Sequence, residues 1–116
     1  MTVHTNSQKM AQAAYQRIMQ RKPKKDFVSF ARGFPSLVHS CGLAQAVAFA
    51  KSKKHVDYLD DLAAVLQVIG HSDADSSERL ERATREQSVA AYVRLSRNAL
   101  QAAGWLKRYV EAAEEE

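Results

Sequence analysis

Three aspartates, Asp57, Asp60 and Asp61, fall at steps of three and four within one apolar-periodic stretch, so they share a helix face. Carboxylates grouped in this way can hold Mg²⁺ through water, the arrangement that a metal-dependent nuclease needs. They are also the routine complement to the dipole of a helix N-terminus, and the sequence favours that role. Asp73, Asp75 and Glu78 echo part of a calcium loop but lack the glycine at its sixth position and the closing glutamate at its spacing. The four histidines, His4, His39, His55 and His71, lie in four separate segments. His39 stands two residues from the lone Cys41, which on a helix points the pair to different sides, and zinc would need two further ligands brought in by the fold. No glycine-rich phosphate cradle, nucleophile elbow or general-base pair accompanies these residues. The expectation is a protein that is not an enzyme and holds neither metal nor cofactor.

Binding chemistry has more residues to draw on. Arg17, Arg21, Lys22, Lys24 and Lys25 form a basic run with no acid before Asp26. Lys51, Lys53 and Lys54 form a second run, and Arg94, Arg97 and Arg108 a third along one long segment. Each run alone is explained by cations at helix C-termini and by solubility. Together they suggest basic ends that meet a phosphate backbone, a contact that carries charge but no base readout. Trp105 falls opposite the apolar stripe of its segment, beside Arg94, Arg97, Gln101 and Arg108. Either it is core between helices on two sides, or it is a surface anchor of the aromatic-and-arginine kind that binding hot spots favour.

The elements that must position these side chains are all helical. Thr5 and Gln8 make a capping box that opens a helix over about residues 6–22, stopped by Pro23. A second helix begins at Asp26 and is expected to kink or restart at Gly33-Phe34-Pro35. Gly42 marks a left-handed helix end, followed by a third helix to about Lys54. Val56 to Ile69 is a fourth, closed by Gly70. A polar loop over 71–77 leads to a short charged helix. A second capping box at Thr84 and Gln87 then opens the longest helix, Thr84 to Ala113, with Val89, Tyr92, Val93, Ser96, Ala99, Leu100, Ala103, Leu106 and Val110 as its apolar stripe. No stretch alternates with period two. The fold class is all-α: a compact bundle of about five to six helices with a long C-terminal helix, in a single domain over residues 1–116.

The whole-chain totals narrow the class further. A net charge of +4 over 116 residues permits a polyanionic partner without requiring one. The single cysteine fits a reducing compartment, and no apolar run has the length of a membrane span or opens the chain as a signal. A soluble cytoplasmic protein with no membrane partner is expected. Glu114, Glu115 and Glu116 oppose the helix macrodipole, so the last residues are expected to fray.

Two stretches resemble a known family. Phe34-Pro35-Ser36-Leu37-Val38, then Gly42-Leu43-Ala44-Gln45-Ala46-Val47-Ala48-Phe49, is similar to the aromatic-Pro, Gly-Leu, alanine-rich block of the small helical subunit of the Cmr complex, the type III-B CRISPR RNA-guided effector. Tyr92 to Tyr109, with Leu100, Trp105-Leu106-Lys107 and Arg108, resembles the closing helix of that subunit, and Ala11, Ala14 and Tyr15 agree with its first helix. Residues 70 to 86 match nothing in the pattern. The resemblance implies a non-catalytic, all-α subunit acting in antiviral defence. It implies copies that stack as a minor filament beside larger backbone subunits which cut target RNA, along the guide–target RNA duplex. Its partners would be the other Cmr subunits, the guide RNA and the target RNA. Weak head-to-tail self-stacking needs two different faces. One is expected at the corner of Phe34 and Pro35, the other around Trp105 and Arg108.

The nucleic-acid contacts are expected from Arg21, Lys22, Lys24, Lys25, Lys51, Lys53, Lys54, Arg94, Arg97 and Arg108. A protein-only helical adaptor, with Trp105 gripping a partner and the lysines merely solvated, remains the alternative. A DNA-binding helical protein is a third reading, weakened by the lack of helix-turn-helix spacing.

Overall fold

The computed structural model describes residues 3–114, except for the side chain of Glu114. Among them are five α-helices: α1 (Asn6–Arg21), α2 (Lys25–Ser52), α3 (Val56–Gln67), α4 (Ser77–Glu86) and α5 (Val89–Glu114). A single 3₁₀ turn, Ser72–Ala74, lies between α3 and α4, and no described residue is in a strand. α5 is the hub, packed by α1 and α2 along its length and by α3. No helix among the described residues is long and apolar enough to cross a membrane.

The first helix forms as its sequence dictates. The Thr5 hydroxyl accepts the Gln8 amide at 3.0 Å, and the Gln8 side chain accepts the Thr5 amide at 2.8 Å. Two early orphan donors are thus satisfied reciprocally. Lys22 ends the helix in left-handed conformation and Pro23 follows. Met10, Ala14 and Ile18 are the buried stripe.

α2 departs from expectation. It runs through Pro35 without a restart, because Phe27, Val28, Ala31, Phe34 and Val38 all bury one face against the rest of the bundle. A proline inside a helix costs about 3 kcal/mol, and burying one large apolar side chain returns roughly 1.5–3 kcal/mol, so this packing outweighs the lost amide. The break comes only at Gly42, where a helix end was expected, at φ 84 and ψ 163, a region essentially reserved for glycine. There the Ala44 amide donates to the Tyr92 hydroxyl of α5 at 3.0 Å, replacing the carbonyl partner lost at the bend. The expected helix end at Gly42 is thus borne out, and the stretch after it, here counted as the second half of α2, returns alongside the first: Phe49 and Phe30 lie with ring centroids 6.5 Å apart and planes within 9°.

α5 begins later than its sequence suggests. Thr84 is interior to α4, donating its hydroxyl to the Glu81 carbonyl at 2.6 Å, and Gln87 is extended. Ser88 takes the capping role, accepting the Ala91 amide at 3.3 Å. The buried stripe is also rotated from the expected one. Leu95 and Ala102 join Ala99, Ala103, Leu106 and Val110 inside, while Val89 is 81% and Val93 48% exposed. α5 is helical through Glu114; the fraying expected of Glu115 and Glu116 lies outside the described residues.

Candidate nucleic-acid and partner interface

The carboxylates of α3 hold the bundle together. Asp61 is fully buried and takes Arg17 at 2.8 Å and Arg21 at 2.5 Å. Asp60 accepts the Ser77 amide at 2.9 Å, tying α3 to the start of α4, and Asp57 accepts the Tyr58 amide. The hydrogen bond to Asp61 is the main cause that holds the Arg21 guanidinium above its ordinary pKa, against the opposing effect of burial. Arg21 thus neutralises a buried anion, which costs several kcal/mol to leave uncompensated. Its charge is engaged within the protein. Among the described residues no group of three or more His, Cys, Asp or Glu is placed to hold a metal ion.

The two lysine runs remain at the surface. Lys22, Lys24 and Lys25 are exposed around the start of α2, and Lys51, Lys53 and Lys54 are exposed at its end. Lys51 pairs with Glu81 at 3.8 Å, and the Lys53 ammonium lies over the Phe49 ring at 5.8 Å. The bend at Gly42 brings the two ends of α2 together: Asp26 and Phe30 from its first half share one hollow with Phe49, Lys53 and His55. The third run divides. Arg94, Arg97 and Arg108 are all exposed on α5, but Arg97 and Arg108 are eleven residues apart, about 16 Å along the axis. Arg97 borders a hollow with His39, Gly42 and Tyr92, while Lys107, next to Arg108, faces Lys25 and Arg32 of α2.

The expected partner corners are only partly at the surface. Phe34 is fully buried against Phe30 and Tyr58, so its ring offers no surface to another protein. Its place on the apolar side of α2 set that outcome, and Pro35 beside it is half-buried. Trp105 is half-buried as well: it packs on the core and stacks on Tyr109, which meets Tyr15 edge-on at 5.6 Å. Neither pure core nor pure anchor describes it. Sequence reasoning missed Phe49, 44% exposed, and Lys107 and Arg32, because helix periodicity within one segment carries no sign of what the fold-back of α2 places beside it.

The geometry is that of an all-helical protein with basic ends, and known proteins share its fold. Residues 6–113 match the model of the CRISPR-associated protein family Cas_Cmr5. The chain belongs to the Cmr5 family. It is 36% identical, over 98% of its own length and all of the relative's, to the CRISPR system Cmr subunit Cmr5 of Thermus thermophilus. It also superposes on the crystal structure of a CRISPR-associated Cmr5 family protein from Thermus thermophilus with a TM-score of 0.81 at 35% identity. That match covers 94% of this chain and 97% of the other. The family resemblance of the Phe34–Phe49 block and the Tyr92–Tyr109 helix thus extends over almost the whole chain, including the 70–86 segment that matched no pattern.

Proposed function

We propose that this Cmr5 family member is a non-catalytic structural subunit of a cytoplasmic type III-B Cmr effector, acting as one domain over residues 1–116. Its partners are the other subunits of that complex, and through them the guide and target RNA. The observation that carries the reading is the placement of Lys24, Lys25, Lys53 and Lys54 at the surface around the joined ends of α2, in a chain that matches Cmr5 nearly end to end. Lysines so placed contact phosphates and read no base, as a subunit lying along a guide–target duplex requires. Lys22 and Arg108 add to that surface, Arg97 lies apart from it at the Gly42 bend, and the charge of Arg94 acts on His71. Arg21, held by Asp61, contributes to the fold instead. The described residues form a slab of 42 × 42 × 21 Å, whose two broad faces suit weak head-to-tail stacking of copies. In this reading Pro35 belongs to one stacking face and Trp105 to the other.

A salt titration tests this against a protein-only adaptor. With a short RNA duplex, log affinity falls linearly with log salt, at a slope of roughly −0.7 to −0.9 per phosphate contact. An adaptor shows no RNA affinity to titrate.

A further inference from the structure

We propose that the acidic end of α5, Glu114, Glu115 and Glu116, screens Lys22, Lys24 and Lys25 of the same chain until an RNA duplex displaces it. The inference rests on the phosphate-contact reading above and adds a brake on one of its two lysine runs.

The register of the helices brings the two charge clusters to one end of the bundle. Lys25 and Ser29 of α2 share a hollow with Lys107 and Glu111 of α5, whereas Val38 and Gly42 share one with Tyr92 and Ser96. Early α2 thus meets late α5, and the two run antiparallel. Glu114 stands one turn past Glu111, about 4.5 Å further along the axis, toward the residues that lead into Lys25. Across this seam Glu111 reaches Arg32 at 3.6 Å, so carboxylates of α5 come within range of cations of α2.

The charges complement one another. Three glutamates at a helix C-terminus oppose its macrodipole, and α5 has no basic residue in its last turn. The positions three and four residues before them hold valine, glutamate and alanine, so no cation of their own helix can pair with them. Lys22, Lys24 and Lys25 are exposed, and no described carboxylate pairs with their ammonium groups. They match the glutamates in number and lie on the same chain, where an effective concentration on the order of millimolar favours this contact over one between copies. The cover is weak, because exposed ion pairs contribute little and salt screens them. A duplex carries a charge every ~1.7 Å and releases its condensed counterions when it binds. It therefore displaces the glutamates where an isolated phosphate does not, and the corner answers to a continuous backbone and ignores scattered anions.

The test treats the full chain with a water-soluble carbodiimide, which joins a carboxylate to an amine only where the two touch. Crosslinks from Glu114, Glu115 or Glu116 to Lys22, Lys24 or Lys25 are expected, mapped by mass spectrometry. A short RNA duplex suppresses them and inorganic phosphate does not. Mixing isotope-labelled with unlabelled chains shows whether each crosslink lies within one chain. Glu114→Gln, Glu115→Gln and Glu116→Gln together, with an unchanged melting curve, raise duplex affinity roughly threefold to tenfold at low salt, within what three exposed ion pairs are worth. The gain shrinks as salt rises, and it is absent when Lys22, Lys24 and Lys25 are also changed to glutamine. Crosslinks found only between labelled and unlabelled chains overturn cover within one chain. No crosslink, or an unchanged duplex affinity in the glutamine variant, overturns the inference and leaves the phosphate reading standing. If neither the unaltered chain nor the variant binds duplex, both readings fall.

Discussion

His71 shows how one side chain links burial to pH response. It is buried, and its Nε2 lies 2.8 Å from the Asn98 side-chain nitrogen, so the neutral ring accepts a hydrogen bond there. Burial first, then the positive charge of Arg94, lowers its pKa from the ordinary 6.5, with Asp73 opposing. The unfolded chain therefore binds a proton near 6.5 that the folded chain resists. Stability from this site is complete above that pH and falls as pH drops below it, levelling only when the folded ring itself titrates. Thermal unfolding followed downward from neutral pH should show a falling midpoint, and His71→Gln should flatten that decline below about pH 6.5. An unchanged pH profile in the variant would remove His71 from this role.

At the level of helices, local signals were legible where no distant contact competed with them. The Thr5–Gln8 box forms as written because its two partners are three residues apart and nothing else claims them. The same pattern at Thr84 and Gln87 fails. Leu80 and Ala83 are buried as part of α4, and the Gln87 side chain donates to Asp73 at 2.6 Å instead of capping. Pro35 illustrates the same competition, since the buried face of α2 carries the helix past it. Gly42 was readable as a break from its type alone. What could not be read was the consequence, that Lys25 and Lys53, twenty-eight residues apart in sequence, would border adjoining hollows.

The bend has a stability signature of its own. A Cβ at Gly42 would make only an ordinary 3.7 Å contact with the Tyr92 hydroxyl, so the obstacle to substitution is the backbone. Gly42→Ala should lower unfolding free energy by about 1–3 kcal/mol, measured by urea denaturation. A neutral Gly42→Ala would mean that α2 reaches its fold-back without the positive φ.

On the scale of the molecule, chemistry and architecture divide cleanly. The anions of α3 face inward or cap neighbouring backbone, with Asp61 closing on Arg17 and Arg21, while lysines collect where α2 begins and ends. The slab has a basic margin and two broad faces, the shape that the proposed stacking role requires. All-α architecture followed from the helical periodicity alone, and the family resemblance extended it to a Cmr subunit. Which cations come together at the surface depends on how the helices fold back, which no single segment encodes.

The most direct measurement is recovery of the chain with its complex from cells expressing all Cmr subunits and a guide. Reversing Lys24, Lys25, Lys53 and Lys54 to glutamate should leave the chain folded and still able to meet protein partners. The guide and target RNA retained per complex should fall several-fold, with a shallower salt dependence. RNA retention equal to the unaltered chain at every salt concentration would contradict the account.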